Sequence, residues 1–231
     1  MAIETAKQIE SEENLELVGI YSHLARSDEP GSDFSQNQLS LYNELLEKLN
    51  EIGISPSINH FENSGGVLNL ENVEFGMVRV GITLYGHHPT PDLQDDINLI
   101  QVMTLKSKVV QIREIEKGTP VSYGGTWVSE ESTSIATVPI GYADGIHRAL
   151  SNNMDVLIGG DRYSVVGRVT MDMIMVDIGD ARIDIGDEVV IYGKQAEEMI
   201  TIAEVAQKLD TISYEITCAV SKRVPRIYVN K

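Results

Sequence analysis

LELVGIYSH, residues 15–23, decides how the first part of this chain folds. An apolar run from Leu15 to Tyr21 ends on the polar pair Ser22-His23, the pattern of a short buried strand with chemical groups at its carboxyl end. DFSQNQLSLYNELLEKLNEI (33–52) follows, and its Leu39, Tyr42, Leu45, Leu46 and Leu49 recur at helical spacing, with Ser35 or Asp33 placed to cap it. SINH (57–60) predicts a second strand, Gly65 to Leu70 one helical turn, and residues 75–86 a third strand region. Strands alternating with helices build βαβ units and a parallel sheet. The polar residues His23, then His60, Asn63 and Ser64, then Arg79 fall at strand carboxyl ends, where a parallel α/β barrel carries its catalytic groups. A full barrel takes about 250 residues. Residues 1–99 supply three or four of its units, either a small open sheet or part of a barrel.

HHPTPDLQDDIN (87–98) reads as a polar linker, and the period changes after it. Short β-rich runs cover 103–115, 134–140, 154–158, 164–169, 174–178 and 188–192, separated by Gly-containing turns. That spacing predicts an antiparallel sandwich or barrel. A helix is expected over Thr201 to Leu209, with Thr201 as N-cap and Glu204 at the capping-box position, and a last strand over Arg226 to Val229. The expected fold class is therefore α/β plus all-β, in two domains, 1–99 and 100–231.

Charge narrows the function. Among 231 residues, 35 are acidic and 18 basic, for a net charge of −17. That balance argues against general binding to nucleic-acid backbones or to anionic membranes. It leaves small anionic ligands open, because one local arginine can hold an anion. The single cysteine, Cys218, excludes an internal disulfide framework. No apolar run approaches the roughly 20 residues of a membrane span, and the acidic amino end is no signal peptide. A cytoplasmic protein is the expectation. Met1 to Ile9 already reads as an uncapped amphipathic helix, so the sequence is expected to begin within an element.

Phosphate loops of the GxGxxG or GxxxxGK[ST] type, HExxH, CxxC and GxSxG are all absent from the sequence. Arg79, inside the apolar run Met77 to Ile82, is either half of a structural pair or an arginine aimed at a ligand, since an unpaired buried charge is costly. Tyr142, in Ile140-Gly141-Tyr142-Ala143-Asp144-Gly145, is either an incidental turn residue or a phenol projected into a cleft. A free phenol titrates near about 10, so base work needs a neighbour that favours the phenolate. Arg168 and Asp172 flank a strand end and read locally as a surface ion pair. His23 and His60, taken singly, read as satisfied structural histidines.

In order along the chain, these segments resemble the alanine racemases, a family dependent on pyridoxal phosphate. The resemblance rests on 19–23 (GIYSH), 60–64 (HFENS), 77–86 (MVRVGITLYG), 138–145 (VPIGYADG), 166–172 (VGRVTMD), and finally 212–216 (ISYEI) with 223–226 (RVPR). It implies the later part of a TIM-type (β/α)8 barrel that binds the cofactor, a β-rich carboxyl-terminal domain, and a homodimer whose sites are shared between subunits. It assigns Arg79 to the pyridine nitrogen. Arginine stays protonated, so it donates there and leaves the ring a weaker electron sink, which favours reprotonation at the α-carbon. Ser64, the backbone of Gly81 and Ile82, and Tyr214 match the phosphate-binding set, with His60 and Asn63 in the same cofactor-binding group. Tyr142 matches the tyrosine that exchanges the α-proton on one face, and His23 the histidine beside it. Met171 matches the residue whose backbone meets the substrate carboxylate. Asp172, Arg168, Asp28 and Ile212 match the entrance.

The chain departs from the family in one respect. The lysine that forms the Schiff base and acts as second base lies near the start of the family's barrel, and no matching motif occurs here. Lys7 lacks the expected flanking residues. The expectation is thus the carboxyl-terminal portion of an enzyme interconverting L- and D-alanine for peptidoglycan, inactive without its amino-terminal half. The alternatives are a non-catalytic binding module of the same descent, or a related racemase for serine or lysine.

Overall fold

The computed structural model describes residues 1–29, 31–71, 73, 75–90 and 97–229. The chain divides into two units, Met1–Ile100 and Gln101–Lys231.

In the first unit, α1 (Ala2–Ser11), β1 (Gly19–Tyr21), α2 (Asp33–Glu51), β2 (Ile58–Asn63), α3 (Ser64–Asn69) and β3 (Met77–Arg79) follow one another, and a 3₁₀ turn spans Ile82–Tyr85. The three strands form a parallel sheet in the order β1-β2-β3. The apolar stripe of α2 explains its place. Tyr42 and Leu49 are buried, and the Tyr42 ring packs on Phe61 and Phe75 with centroids 5.2 and 5.3 Å apart. The Tyr42 hydroxyl donates to the Ile20 carbonyl at 2.7 Å, pinning the helix to β1.

Four details differ from the sequence expectation. Leu15 to Val18 stay outside β1, because its ladder with β2 begins at Gly19 opposite Ile58; Leu15 and Val18 remain exposed. Neither Ser35 nor Asp33 caps α2: Ser32 is the N-cap, and the Ser35 hydroxyl donates to Arg26 O instead. β2 runs on to Asn63 because it pairs with β3 as well. Of the stretch 87–98, residues 91–96 lie outside the described residues, and His87 is buried rather than solvated.

The second unit is antiparallel throughout. Five strands, β4 (Leu105–Lys108), β9 (Asp155–Ile158), β10 (Asp161–Ser164), β12 (Glu188–Gln195) and β13 (Glu198–Ile200), make one sheet in which β4 and β9 both pair with β12. A second sheet orders β11 (Ile174–Gly179), β8 (Thr133–Val138) and β5 (Gln111–Ile115); β6 (Pro120–Val121) and β7 (Trp127–Val128) form a ribbon. β-branched residues dominate the core, with Val156, Ile174, Val176, Val189 and Ile191 fully buried, and β9 and β12 bury consecutive residues rather than alternate ones. Two helices follow, α4 (Ile202–Lys208) and α5 (Ser213–Ala219).

Thr201 caps α4, its hydroxyl accepting the Glu204 N–H at 3.0 Å. Glu204 does not close a capping box: its carboxylate binds Arg162 at 2.8 Å and lies 3.8 Å from Lys208. The expected strand over 164–169 stops early. Gly167 N–H and Val169 N–H donate to the side chains of Asn152 and Ser151 rather than to a ladder. Arg226 to Val229 form no strand: Arg226 donates to the carbonyl of Val220 at the end of α5, and the apolar residues after it stand exposed.

Tyr192 is 1% exposed and its hydroxyl has no partner among the described residues. Burial pushes its phenol pKa up. An unsatisfied buried hydroxyl costs about 1–3 kcal/mol. Tyr192→Phe removes it at almost constant volume and is expected to raise stability by about 1 kcal/mol, read from a urea melt; a lower midpoint refutes the account.

Candidate active site

Arg79 closes β3 and is the centre of a polar cluster in the first unit. Its Nη1 donates to His60 Nδ1 at 2.6 Å, and its Nη2 to Ser22 O at 2.8 Å and Phe61 O at 3.3 Å. His23 Nδ1 lies 3.3 Å from the same Nη2. Asn63 Nδ2 is 3.4 Å from His23 Nε2, while Asn63 Oδ1 accepts the Gly66 N–H as the N-cap of α3. Arginine has no acceptor, so His60 offers a lone pair at Nδ1. Burial first, and then the Arg79 charge, hold the His60 imidazole below its usual range.

A register shift in β2 makes this convergence possible. Side chains alternate along a strand, so residues three apart face opposite ways. Yet both His60 and Asn63 turn into the cluster, because the pairing with β3 jumps between His60 opposite Met77 and Asn63 opposite Arg79.

Two residues beyond Arg79, neutral donors gather. Gly81 N–H and the Thr83 hydroxyl both donate to Ser64 Oγ, at 2.9 and 3.2 Å. A Cβ on Gly81 would sit 3.8 Å from that oxygen. Ile82, buried, starts the 3₁₀ turn. The cluster pairs a cation fixed at one end with hydroxyls and a backbone N–H at the other. This donor set suits a flat ligand that carries an acceptor for Arg79 at one end and an anionic group at the other. The unit's two lysines are elsewhere, on exposed helix faces, Lys7 paired with Glu4 and Lys48 with Glu44.

In the second unit, two loops are stitched together. Tyr142 N–H donates to Thr170 O and Ala143 N–H to Met171 O, at 3.0 and 2.9 Å. Asp144 braces the first loop: Oδ2 accepts the Gly141 N–H at 2.9 Å, and Oδ1 pairs with Arg223 at 3.3 Å. A groove of about 440 Å³ beside them is lined by Tyr123, Tyr142, Arg148, Arg168, Met171 and Asp172, among others. No ion pair joins Arg168 to Asp172 among the described residues. Arg168 Nε instead lies 3.5 Å from where a Cβ on Gly124 would stand, and Arg168 O accepts the Ser122 hydroxyl. Ile212 is the exposed N-cap of α5, and Tyr214 lies in its first turn. Asp28 sits apart, exposed on the turn after His23.

Sequence reasoning assigned no role to Tyr123, Arg148, Thr83 or Tyr21. Tyr123 carried a usable signal, the Ser122-Tyr123-Gly124-Gly125 turn. Ser122 adopts φ 63°, rare for a residue with a side chain, and Gly124 and Gly125 follow at φ 74° and 52°. The turn holds the Tyr123 phenol 74% exposed over the groove; Tyr142 is 46% exposed. The glycines adopt such angles freely, but a serine held there costs about 1–3 kcal/mol, and strain of that kind clusters at functional sites.

Comparisons with known proteins agree along the whole chain. The family model described as alanine racemase, C-terminal domain, matches residues 102–228, and that of the N-terminal domain matches residues 2–89. Alanine racemase 2 of Caldanaerobacter subterraneus is 43% identical over 94% of this chain, and an alanine racemase of Halothermothrix orenii 40% over all of it. The chain spans 56% and 61% of their lengths. Among solved structures, alanine racemase from Streptomyces coelicolor A3(2) superposes with a TM-score of 0.93 at 36% identity, over 100% of this chain and 61% of that one. The Clostridium difficile 630 alanine racemase complex with cycloserine gives 0.90 at 38%, over 96% and 59%.

Proposed function

The chain belongs to the alanine racemase family, and from that premise we propose that it is the larger part of a cytoplasmic, pyridoxal-phosphate-dependent enzyme interconverting L- and D-alanine. The observation that carries this reading is the fixed Arg79 guanidinium, two residues from the Ser64–Gly81–Thr83 donor group. The relatives' names supply the substrate.

Pyridoxal phosphate, when bound, supplies the electron-withdrawing ring that acidifies the hydrogen on an amino acid's α-carbon. The protein's residues do the rest. Arg79, charged at all relevant pH, donates to the ring nitrogen. Ser64 and the Gly81 and Ile82 N–H groups hold the phosphate end, with Tyr214 assigned to the same end by the resemblance. His60 and Asn63 orient Arg79 and His23. The second unit's groove contributes the proton-transferring phenol. Tyr142 is the residue the resemblance names; Tyr123 is favoured by its exposure and its strained turn. The Met171 backbone meets the substrate carboxylate, and Arg168, Asp172, Asp28 and Ile212 line the approach. In the complete homodimer each groove serves a site shared between subunits.

Neither lysine of the first unit lies in the cluster, so the second base and covalent cofactor attachment are assigned to a segment outside these residues. The 231 residues alone are therefore expected to form no D-alanine from L-alanine and pyridoxal phosphate, in a coupled D-amino-acid oxidase assay. Adding a separately expressed amino-terminal segment of a relative is expected to restore it. Turnover by the chain alone refutes the assignment.

A further inference from the structure

We propose that Tyr21 is a positioning residue for Arg79, its ring forming a wall that keeps the guanidinium and the His60 imidazole in one orientation. This deepens the reading of Arg79 as the cofactor-facing cation and rests on it. The Arg79 Cζ lies 5.0 Å from the Tyr21 ring centroid, within the range of a cation–π contact. The His60 ring stacks on the same tyrosine, centroids 5.1 Å apart and planes 10° from parallel. His60 and Arg79 are themselves joined by the 2.6 Å bond, so the three groups form a closed set.

The hydrogen bonds to Ser22 O, Phe61 O and His60 fix the direction of the N–H groups but offer no surface against tilting. The aromatic ring supplies that surface. Tyr21 is 64% exposed, so core packing does not account for it, and its hydroxyl makes no hydrogen bond among the described residues. The useful part of the side chain is the ring. Its location follows from the parallel register, in which Tyr21 stands directly opposite His60.

The test needs only the intact 231-residue chain and NMR of His60 and of the Arg79 Nε–H. Tyr21→Leu is expected to speed Arg79 Nε–H exchange several-fold and to move the His60 titration upward, because both the shielding ring and the nearby charge are loosened. Tyr21→Phe is expected to behave as the parent, since only the hydroxyl is lost. Thermal melts of all three should coincide, which a merely structural residue would not give. In an Arg79→Gln background, Tyr21→Leu should move His60 less than it does in the parent, the coupling expected of a shared contact. Unchanged Arg79 exchange in Tyr21→Leu overturns the proposal, as does a Tyr21→Phe that behaves like Tyr21→Leu. Either result leaves Arg79's assignment standing. Unaltered pyridoxal phosphate affinity in Arg79→Gln of the complemented protein would remove that assignment and leave the Tyr21 contact intact.

Discussion

Tyr123→Phe, in the complete enzyme, is expected to lower kcat for racemisation by about 10²–10⁴-fold, the usual worth of a positioned general acid–base, with KM for alanine little changed. The substitution keeps the ring and its groove contacts and removes only the proton-carrying oxygen. Racemisation needs a proton taken from one face of the α-carbon and returned on the other. Losing one of two bases should therefore abolish solvent-deuterium exchange from one enantiomer more than from the other. Tyr142→Phe is expected to cost less than Tyr123→Phe, because its phenol is the less exposed of the pair. If Tyr142→Phe instead gives the larger kcat loss, the proton-transfer role belongs to Tyr142, as the family resemblance has it.

Gly141→Ala is the second large effect. A Cβ there would lie 2.3 Å from Thr170 O and 2.6 Å from both Met171 C and Asp172 N. All three are backbone atoms between the hydrogen bonds that join the two loops, so no side chain can swing aside. The expected cost is about 3 kcal/mol, the upper end for overpacking, or roughly 6–12 °C in Tm for a chain of this size. The groove should open with it, weakening whatever Tyr142 and Met171 hold. Gly76→Ala is the control: its Cβ meets nothing within 4 Å, and its Tm should match the parent's. Equal melting of the two variants would mean that the loop junction yields more easily than its close contacts imply.

The sequence made some of this legible for identifiable reasons. Period alone separated a strand–helix part from a β-rich part, since Leu39, Tyr42, Leu46 and Leu49 repeat helically while 174–178 and 188–192 are β-branched runs. The α/β plus β class follows from that contrast. Strand ends were harder. The Arg226–Val229 run has strand composition, but its arginine is claimed by the end of α5. The 164–169 run loses its amides to Ser151 and Asn152. Neither competitor is visible locally.

Among site residues, Arg79, His23, His60 and Asn63 stood out as polar groups at strand ends, and the structure gathers them into one hydrogen-bonded set. Tyr21 did not stand out, because a tyrosine in an apolar strand looks like core. Tyr123 did not either, because its turn is marked by backbone angles rather than by charge.

The jump in β2 between His60 and Asn63 has a consequence for how this segment tolerates change. The distance along the chain between those two side chains works as a ruler: the intervening Phe61-Glu62 pair sets which way everything after it faces. Substitutions at Glu62 leave the ruler intact, and a library of them should retain cluster-forming members. Removing or adding a single residue there would change the register jump that pairs His60 with Met77 and Asn63 with Arg79, without altering the identity of any residue in the cluster. In this stretch the count of residues is under tighter constraint than their kind.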